Sequence, residues 1–296
     1  MTNIEAPFAG RCELGEMPYW DATNSRLIYV DINGGSIHDL DPMSGALVST
    51  QLTAPLSFAI PVSGSTTRVC GNGNDLIAID DTGRELGRLT VEPGMPGNRI
   101  NEGKADPRGR LWTGSMSLTR EPDQAGLYRL DRRGLTKIRT ITLGNGTDWD
   151  VERGRLYHVD STTQQIDVWD YDVDTGGVEN RRTWATIDPD DGLPDGLTID
   201  VDGCVWLGLF QGGAVRRFDP DGTPMIDIAL PTPFVTCPVF GGVDLATMFV
   251  TTSRHKIPPD QRADHPLAGA LFVFDPGVRG RPCNRLAPEV AAHVVA

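Results

Sequence analysis

The chain has 296 residues, among them 34 glycines and 22 prolines, and 39% of its residues are hydrophobic. This composition favours many tight turns over long helices, and no stretch of 18 apolar residues is present to span a bilayer. The net charge of −13 argues against nucleic acids and anionic membranes as partners.

The cysteines and the first residues bear on the compartment. Five widely spaced cysteines without a Cys-x-x-Cys pair fit a reducing environment better than a disulfide framework. The segment Met1–Pro7 lacks the basic start and apolar core of a secretion signal. The sequence therefore predicts a cytoplasmic protein, and it makes no prediction of the oligomeric state.

One pattern recurs along the chain: a short apolar strand, a turn, a second strand and a turn rich in Asp and Gly. It is clearest where Leu197–Ile199, Val205–Phe210 and Ala214–Phe218 alternate with such turns, as in a three-stranded antiparallel meander. In chain order the six copies cover 26–45, 68–83, 110–134, 155–176, 204–222 and 247–277. Their starting positions lie 42, 42, 45, 49 and 43 residues apart.

This near-constant period predicts the fold. Repeats of about 40–50 residues that each form a small antiparallel sheet are typical of β-propellers, whereas a β-sandwich or a pair of barrels does not require even spacing. We therefore predict an all-β fold, a six-bladed β-propeller that forms a single domain over 1–296. Because an open ring would expose strand edges, we expect 4–14 to add a strand to the last blade. No segment has sustained helical periodicity, and 286–295 is interpreted as a short apolar tail.

The repeat register predicts where a site lies. Each inner strand should line the central channel, and four of these strands end on an aspartate: Asp21, Asp106, Asp150 and Asp200. The residues five positions earlier are Glu16, Asn101, Asn145 and Asp195. Rotation about the channel should bring these four oxygen-bearing side chains together at one end. The corresponding positions of the second and sixth blades fall near Phe58 and 237–239, which are largely apolar.

Two interpretations of these four residues compete. Asn or Asp before Gly commonly makes a turn, which would explain Asn145 or Asp195 taken singly, but Glu16 is a poor turn residue. Two carboxylates and two amides without His or Cys form a hard-oxygen site, which suits Ca²⁺, Mg²⁺ or Mn²⁺ better than Zn²⁺. We therefore predict one divalent cation. Arg99 precedes Asn101 by two residues, so on an extended segment it can face the same side and either bind substrate hydroxyls or pair with a surface carboxylate.

Several motifs together resemble a known family. In chain order they are Leu14-Gly-Glu16-x-Pro18, Arg99-x-Asn101-x-Gly103-Lys104-x-Asp106, Asn145-Gly146-x-x-Trp149, Pro194-Asp195-Gly196 and Phe240-Gly-Gly242. The ordered set resembles the senescence-marker-protein/gluconolactonase family, the regucalcin-like six-bladed propellers. The resemblance implies metal ligation by Glu16, Asn145 and Asp195, with Arg99 and Asn101 contacting the sugar. It also implies hydrolysis of aldonolactones supported by Ca²⁺, Zn²⁺ or other divalent ions.

The chain departs from the family pattern at two places. Met17 follows Glu16 where the family usually has a glycine, which narrows the expected pocket. The acidic substrate contact expected near Thr119 is not clearly supplied, and Glu121 is the candidate to replace it.

The leading hypothesis is a metal-dependent lactonase that opens a sugar lactone to the sugar acid. A divalent cation, with Ca²⁺ favoured and Zn²⁺, Mg²⁺, Mn²⁺ or Fe²⁺ as alternatives, would polarise the lactone carbonyl. Asp195 would act as general base, while Arg99, Asn101 and Glu121 would bind the substrate. The alternatives are an aryl- or phosphate-ester hydrolase at the same metal and a non-catalytic calcium- or ligand-binding propeller.

Overall fold

The computed structural model describes residues 3–295, and its strands pair in chain order into small antiparallel sheets, or blades. Blade I contains β1 (Gly15–Asp21), β2 (Arg26–Asp31), β3 (Ser36–Leu40) and β4 (Leu47–Gln51). Blade II contains β5 (Leu56–Pro61), β6 (Arg68–Asn72), β7 (Asp75–Ile79) and β8 (Glu85–Thr90). Blade III contains β9 (Asn98–Ala105), β10 (Leu111–Ser117), β11 (Ala125–Asp131) and β12 (Gly134–Ile141).

The second half of the chain repeats this arrangement. Blade IV contains β13 (Gly144–Asp150), β14 (Arg155–Asp160), β15 (Gln165–Tyr171) and β16 (Val178–Thr186). Blade V contains β17 (Leu193–Ile199), β18 (Val205–Phe210), β19 (Ala214–Phe218) and β20 (Pro224–Ala229). Blade VI contains β21 (Val235–Gly241), β22 (Thr247–Thr252) and β23 (Phe272–Phe274).

The first strand of each blade lines a central channel. β1 contacts β5, β5 contacts β9, and the series continues through β13, β17 and β21 back to β1, so the ring is closed. These inner strands are buried along almost their whole length, whereas outer strands such as β4 and β20 are largely exposed. The predicted six-bladed β-propeller is confirmed, and each predicted repeat coincides with the middle strands of one blade.

A buried aspartate follows the inner strand in several blades and holds the turn to the next strand. Asp106 accepts hydrogen bonds from the backbone N–H groups of Arg108 and Arg110 and from Trp112 Nε1, at 2.8, 3.0 and 3.2 Å. Asp200 does the same for the next strand of blade V, where Trp206 Nε1 donates at 2.9 Å. Asp106 and Asp200 thus each fix a turn and accept a hydrogen bond from a buried indole, which gives their place at the end of the inner strand a structural cause.

The N-terminal segment closes the ring. Glu5 N–H donates to Val273 O at 3.0 Å, and Val273 N–H donates to Glu5 O at 2.8 Å, so the segment pairs with the free edge of β23. Leu14 forms a second bridge, to Ser253. Glu13 adds ion pairs to Arg254 and Arg262 at 2.9 and 2.8 Å. The N-terminal segment thus joins the last blade, as predicted for 4–14, although its pairing is confined to isolated bridges.

Aromatic side chains fill the spaces between blades. Trp20 stacks on Phe249 at 5.9 Å, which joins blades I and VI, and Trp112 packs edge-on against Trp149 at 6.1 Å, which joins blades III and IV. Because aromatic pairs bury large apolar areas, these contacts stabilise the ring between neighbouring blades, which are separate sheets.

The C-terminal segment is a helix rather than the apolar tail predicted for 286–295. Helix α1 (Pro288–Val295) packs on β7 and β8 and buries Val290, Ala291 and Val294. Gly87 permits the close approach, because a Cβ there would lie 2.6 Å from Val295 Cα. At eight residues the helix is too short to give a periodic sequence signal, and its stability comes from tertiary packing.

Candidate active site

One end of the channel opens into a cavity of about 270 Å³. Five of the six predicted site residues line it together, namely Glu16, Arg99, Asn101, Asn145 and Asp195. They come from four inner strands of four blades. The sixth, Glu121, is exposed and lies outside the set of lining residues, whereas its neighbour Arg120 belongs to that set.

A β-bulge aims the polar side chain on each of these strands. The strand register shifts immediately after Glu16 in β1 and after Asn145 in β13, and the bulge of β17 contains Asp195. In β9, Asn101 is the extra residue between two paired ones. A bulge leaves a residue outside the hydrogen-bond ladder and redirects its side chain, so the same irregularity in four blades converges on one point.

Blades II and VI contain the same bulge with a different residue. Ser57 Oγ donates to Ile100 O at 2.5 Å, and Thr236 Oγ1 donates to Gly15 O at 2.7 Å. Ser57 and Thr236 therefore lie slightly before the positions predicted for these blades, which were near Phe58 and 237–239. Their hydroxyls join neighbouring inner strands instead of lining the cavity.

The bulges depend on residues with unusual backbone or no side chain. Met17 has a φ of 44°, a left-handed conformation that glycine adopts more readily. Position 146 requires glycine for another reason, because a Cβ there would lie 2.6 Å from the Asp195 carbonyl oxygen. Adjacent inner strands thus approach closely beside the site.

A hydrogen-bond chain orients the two amides. Asn101 Nδ2 donates to Gly144 O at 2.8 Å and to Asn145 Oδ1 at 3.1 Å. Asn145 Nδ2 donates to Ser161 Oγ at 2.8 Å, and Ser161 Oγ donates in turn to Pro194 O at 2.7 Å. This series of hydrogen bonds links blades III, IV and V and fixes the Asn145 side chain. Sequence reasoning missed Ser161, because it lies outside the repeat position that carries the other residues.

The two carboxylates are buried, with only 6% of Glu16 and of Asp195 exposed. Burial raises the pKa of Glu16 to about 7. Burial and the negative charge of Glu16 raise the pKa of Asp195 well above its ordinary value. Asp195 Oδ1 is buried and has no hydrogen-bond partner among residues 3–295. Such a pair is costly without a compensating positive charge.

Arg99 supplies part of that charge. Burial lowers the pKa of Arg99 to about 10, although Glu16 and Asp195 both raise it. Its Nη1 donates to Ile100 O at 2.9 Å, which holds the guanidinium beside its own strand. The cavity also has an apolar wall, formed by Leu14, Met116, Leu143, Leu193 and Phe210.

A third carboxylate, Glu102, lies below the cavity in the channel and was missed by sequence reasoning. It is 2% exposed and accepts a hydrogen bond from Thr147 Oγ1 at 2.6 Å. Burial raises the pKa of Glu102 to about 8. The positive charge of Lys104, which lowers the pKa of Glu102, is also shared with Asp148 at 2.8 Å. Glu102 is therefore held mainly in its neutral form near neutral pH.

This raised pKa predicts a pH-dependent stability. The pKa of Glu102 is higher in the folded chain than in the unfolded chain. The contribution of protonated Glu102 to the free energy of unfolding is therefore full below about pH 4.5 and is lost as pH rises through about 8. Glu102→Gln cannot ionise and should escape that loss, which amounts to up to about 1.4 kcal/mol per pH unit. Urea unfolding at pH 5–9 should therefore show that the free energy of unfolding of the variant increases relative to that of the parent chain as pH rises.

The control for this experiment is Glu179→Gln, which removes an exposed carboxylate on β16. It should follow the parent curve. Parallel stability curves for Glu102→Gln and the parent would show that Glu102 is ionised in the folded chain.

Within residues 3–295, no helix combines the length and apolar character needed to traverse a bilayer. The same residues contain no grouping of three or more His, Cys, Asp or Glu side chains suited to a metal. The candidate cavity instead combines two carboxylates with amide oxygens.

Comparison with known proteins identifies the family. The family model described as SMP-30/Gluconolactonase/LRE-like region matches residues 14–254. The putative sugar lactone lactonase YvrE of Bacillus subtilis (strain 168) is 38% identical over 267 residues, which cover 88% of this chain and 91% of that protein.

Solved structures agree. A luciferin-regenerating enzyme superposes with a TM-score of 0.90 at 27% identity and covers 97% of this chain and 100% of its own. A regucalcin from Agrobacterium tumefaciens str. C58, described as a calcium-binding protein, gives a TM-score of 0.85 at 26% identity over 95% of this chain and 97% of its own. The chain therefore belongs to the SMP-30/gluconolactonase/LRE-like family of six-bladed propellers.

Proposed function

We propose that this chain is a divalent-cation-dependent hydrolase that opens a sugar lactone to the sugar acid. The observation that carries the proposal is the cavity at the channel end, where Glu16, Asn145 and Asp195 meet Arg99 and Asn101. The sugar lactone lactonase among the relatives supports the substrate class.

The residues fit a bound cation. Asp195 Oδ1 is buried without a partner among the described residues, and the pKa of Asp195 is raised by burial and by Glu16, so a positive charge between the two carboxylates would relieve both penalties. Glu16, Asn145 and Asp195 would hold the cation. Oxygen-only ligands favour Ca²⁺, in line with the calcium-binding relative, and Zn²⁺, Mg²⁺, Mn²⁺ and Fe²⁺ are the alternatives. A divalent cation there would supply Lewis-acid polarisation of the lactone carbonyl.

The side chains account for the remaining chemistry. Asp195 would take a proton from the water whose oxygen bonds to the carbonyl carbon. As the ring C–O bond breaks, that proton passes to the departing ring oxygen, which becomes a hydroxyl. Arg99 and Asn101 would hold sugar hydroxyls and thereby orient the carbonyl, while the apolar wall excludes water from the rest of the ring.

Removal and return of the cation test the proposal. Purified protein treated with a chelator should lose hydrolysis of glucono-1,5-lactone and regain it when one of the five cations is added. Glu16→Gln keeps the side-chain volume but removes one of two compensating charges, so it should need about 10–100-fold more cation for half-maximal activity. Calorimetric titration of each cation gives the affinity independently of turnover.

Each other outcome decides between alternatives. Unchanged cation affinity in Glu16→Gln would remove Glu16 from the ligand set. Hydrolysis of aryl or phosphate esters with no lactone turnover would favour an esterase, and cation binding without any hydrolysis would favour a calcium-binding propeller.

A further inference from the structure

The mouth of the cavity is positively charged in a chain whose net charge is −13. Arg120 and Lys256 are both exposed, and both line the cavity with the more deeply buried Arg99. The charged side chains of the lining are thus three cations against two carboxylates, Glu16 and Asp195. A cation held by those carboxylates would make the cavity more positive still.

The two exposed cations come from opposite sides of the ring. Arg120 lies on the connection between β10 and β11 of blade III, and Lys256 follows β22 of blade VI. Among residues 3–295 neither forms a salt bridge with Asp or Glu, although many surface arginines of this chain do. Their charges therefore remain available to a ligand.

His255 shows that these charges act on one place. Burial, together with the positive charges of Lys256, Arg99 and Arg120, lowers the pKa of His255 to about 4, while Glu13 opposes this shift. The three cations that line the cavity thus all act on the imidazole that shares it.

The loops that carry the two cations are anchored. Arg120 N–H donates to Ser117 O at 3.1 Å, and Ser117 Oγ lies 3.0 Å from Thr119 Oγ1. On the other side, His255 N–H donates to Glu13 O at 2.9 Å. A positive charge presented by an anchored loop at a cavity mouth attracts and orients anions more effectively than a freely solvated one.

We infer that the natural substrate carries an anionic group, a carboxylate or a phosphate, remote from the lactone ester, and that Arg120 and Lys256 bind it. This inference rests on the proposed function for the sugar-lactone part of the ligand. The loop after β10 fits this inference, because its charged residue that reaches the cavity is Arg120, whereas the neighbouring acid Glu121 is exposed and lies outside the cavity. An acidic contact would serve neutral hydroxyls, whereas an arginine serves an oxyanion.

Binding of stable sugar acids tests the inference without turnover. Gluconate, glucarate and 6-phosphogluconate share one carboxylate end, and the last two add a carboxylate or a phosphate at the other. In calorimetry at low salt, at least one of them should bind about tenfold more tightly than gluconate, and added salt should erode that advantage. The ligand that binds more tightly than gluconate shows whether the second anionic group is a carboxylate or a phosphate.

Substitutions of Arg120 and Lys256 test whether these two cations cause the tighter binding relative to gluconate. Arg120→Gln and Lys256→Gln should each reduce the preference over gluconate about twofold to fivefold, and the double variant should bring it close to one. Arg132→Gln is the matched control, since it removes one exposed positive charge from a surface cleft beside α1. It should leave the preference as in the parent chain.

Hydrolysis adds a second reading. The ratio of kcat/KM for 6-phosphoglucono-1,5-lactone to that for glucono-1,5-lactone, or for glucaro-1,4-lactone to glucono-1,4-lactone, should fall in the double variant. Equal binding of all three sugar acids within about twofold, or a preference that survives the double variant, would overturn the inference while leaving the lactonase proposal intact. Absence of any lactone turnover would defeat the lactonase proposal, and the binding ratios would still decide the inference.

Discussion

Asp195→Asn should lower kcat for lactone hydrolysis by about 10²–10⁴-fold at saturating cation, the range typical of a general base. The amide has the size of the carboxylate and keeps one oxygen for a cation, but it cannot accept a proton near neutral pH. Asp195 is buried and its Oδ1 has no partner among the described residues, so this oxygen is free to accept a proton from water. Steady-state kinetics across pH 6–9, with cation affinity measured in parallel, gives the result.

Asn101→Ala is the matched comparison. Asn101 is assigned to substrate binding, so its loss should raise KM more than it lowers kcat. It also donates to Asn145 Oδ1, so cation affinity should weaken modestly as the Asn145 side chain loses a partner. Near-normal kcat in Asp195→Asn would remove Asp195 from the role of base, and an equal loss of cation in both variants would make Asn101 a fourth ligand.

Deletion of residues 1–13 should destabilise the whole ring cooperatively, by about 3–5 kcal/mol, which corresponds to about 5–8 °C in Tm. The deletion removes both Glu5–Val273 hydrogen bonds, the bond from Cys12 N–H to Gly269 O and both ion pairs of Glu13. It also exposes the edge of β23, which invites pairing between chains. Calorimetry should show one transition at lower temperature.

Glu13→Gln separates the two contributions to closure, because it weakens the ion pairs and keeps the backbone pairing. Ion pairs as exposed as these are worth about 0–1 kcal/mol each, so this variant should lose much less stability than the deletion. A deleted chain with the Tm of the full chain would contradict closure by the N-terminal segment.

The sequence predicted the fold well because the propeller is encoded locally. Each blade repeats alternating apolar strands and an Asp turn, and the turn aspartates, such as Asp106 and Asp200, are required by buried backbone and indole donors. The same register located Glu16 and Asn145, since rotation carries equivalent positions to one end of the channel.

Other features depend on contacts that no local pattern reveals. Glu102 is buried and accepts a hydrogen bond from Thr147. Ser161 orients Asn145, because its hydroxyl bridges Asn145 to Pro194. Helix α1 is stabilised by the surface it covers rather than by its own periodicity. Which of Arg120 and Glu121 reaches the cavity depends on the loop conformation, where Arg120 adopts a φ of 56°.

The closing bridge has a consequence for how the protein is made. Glu16 follows directly on the segment whose Glu5 pairs with Val273, so the first blade acquires its final edge contacts only when the last blade exists. During translation the ribosome must release residue 273 before that pairing can form. β21 (Val235–Gly241) emerges before Val273, and until it does the strand that carries Glu16 lacks its neighbour from blade VI. A nascent chain therefore completes its cavity only after blade VI has been synthesised, and a product truncated before blade VI lacks the side of the cavity formed by His255 and Lys256.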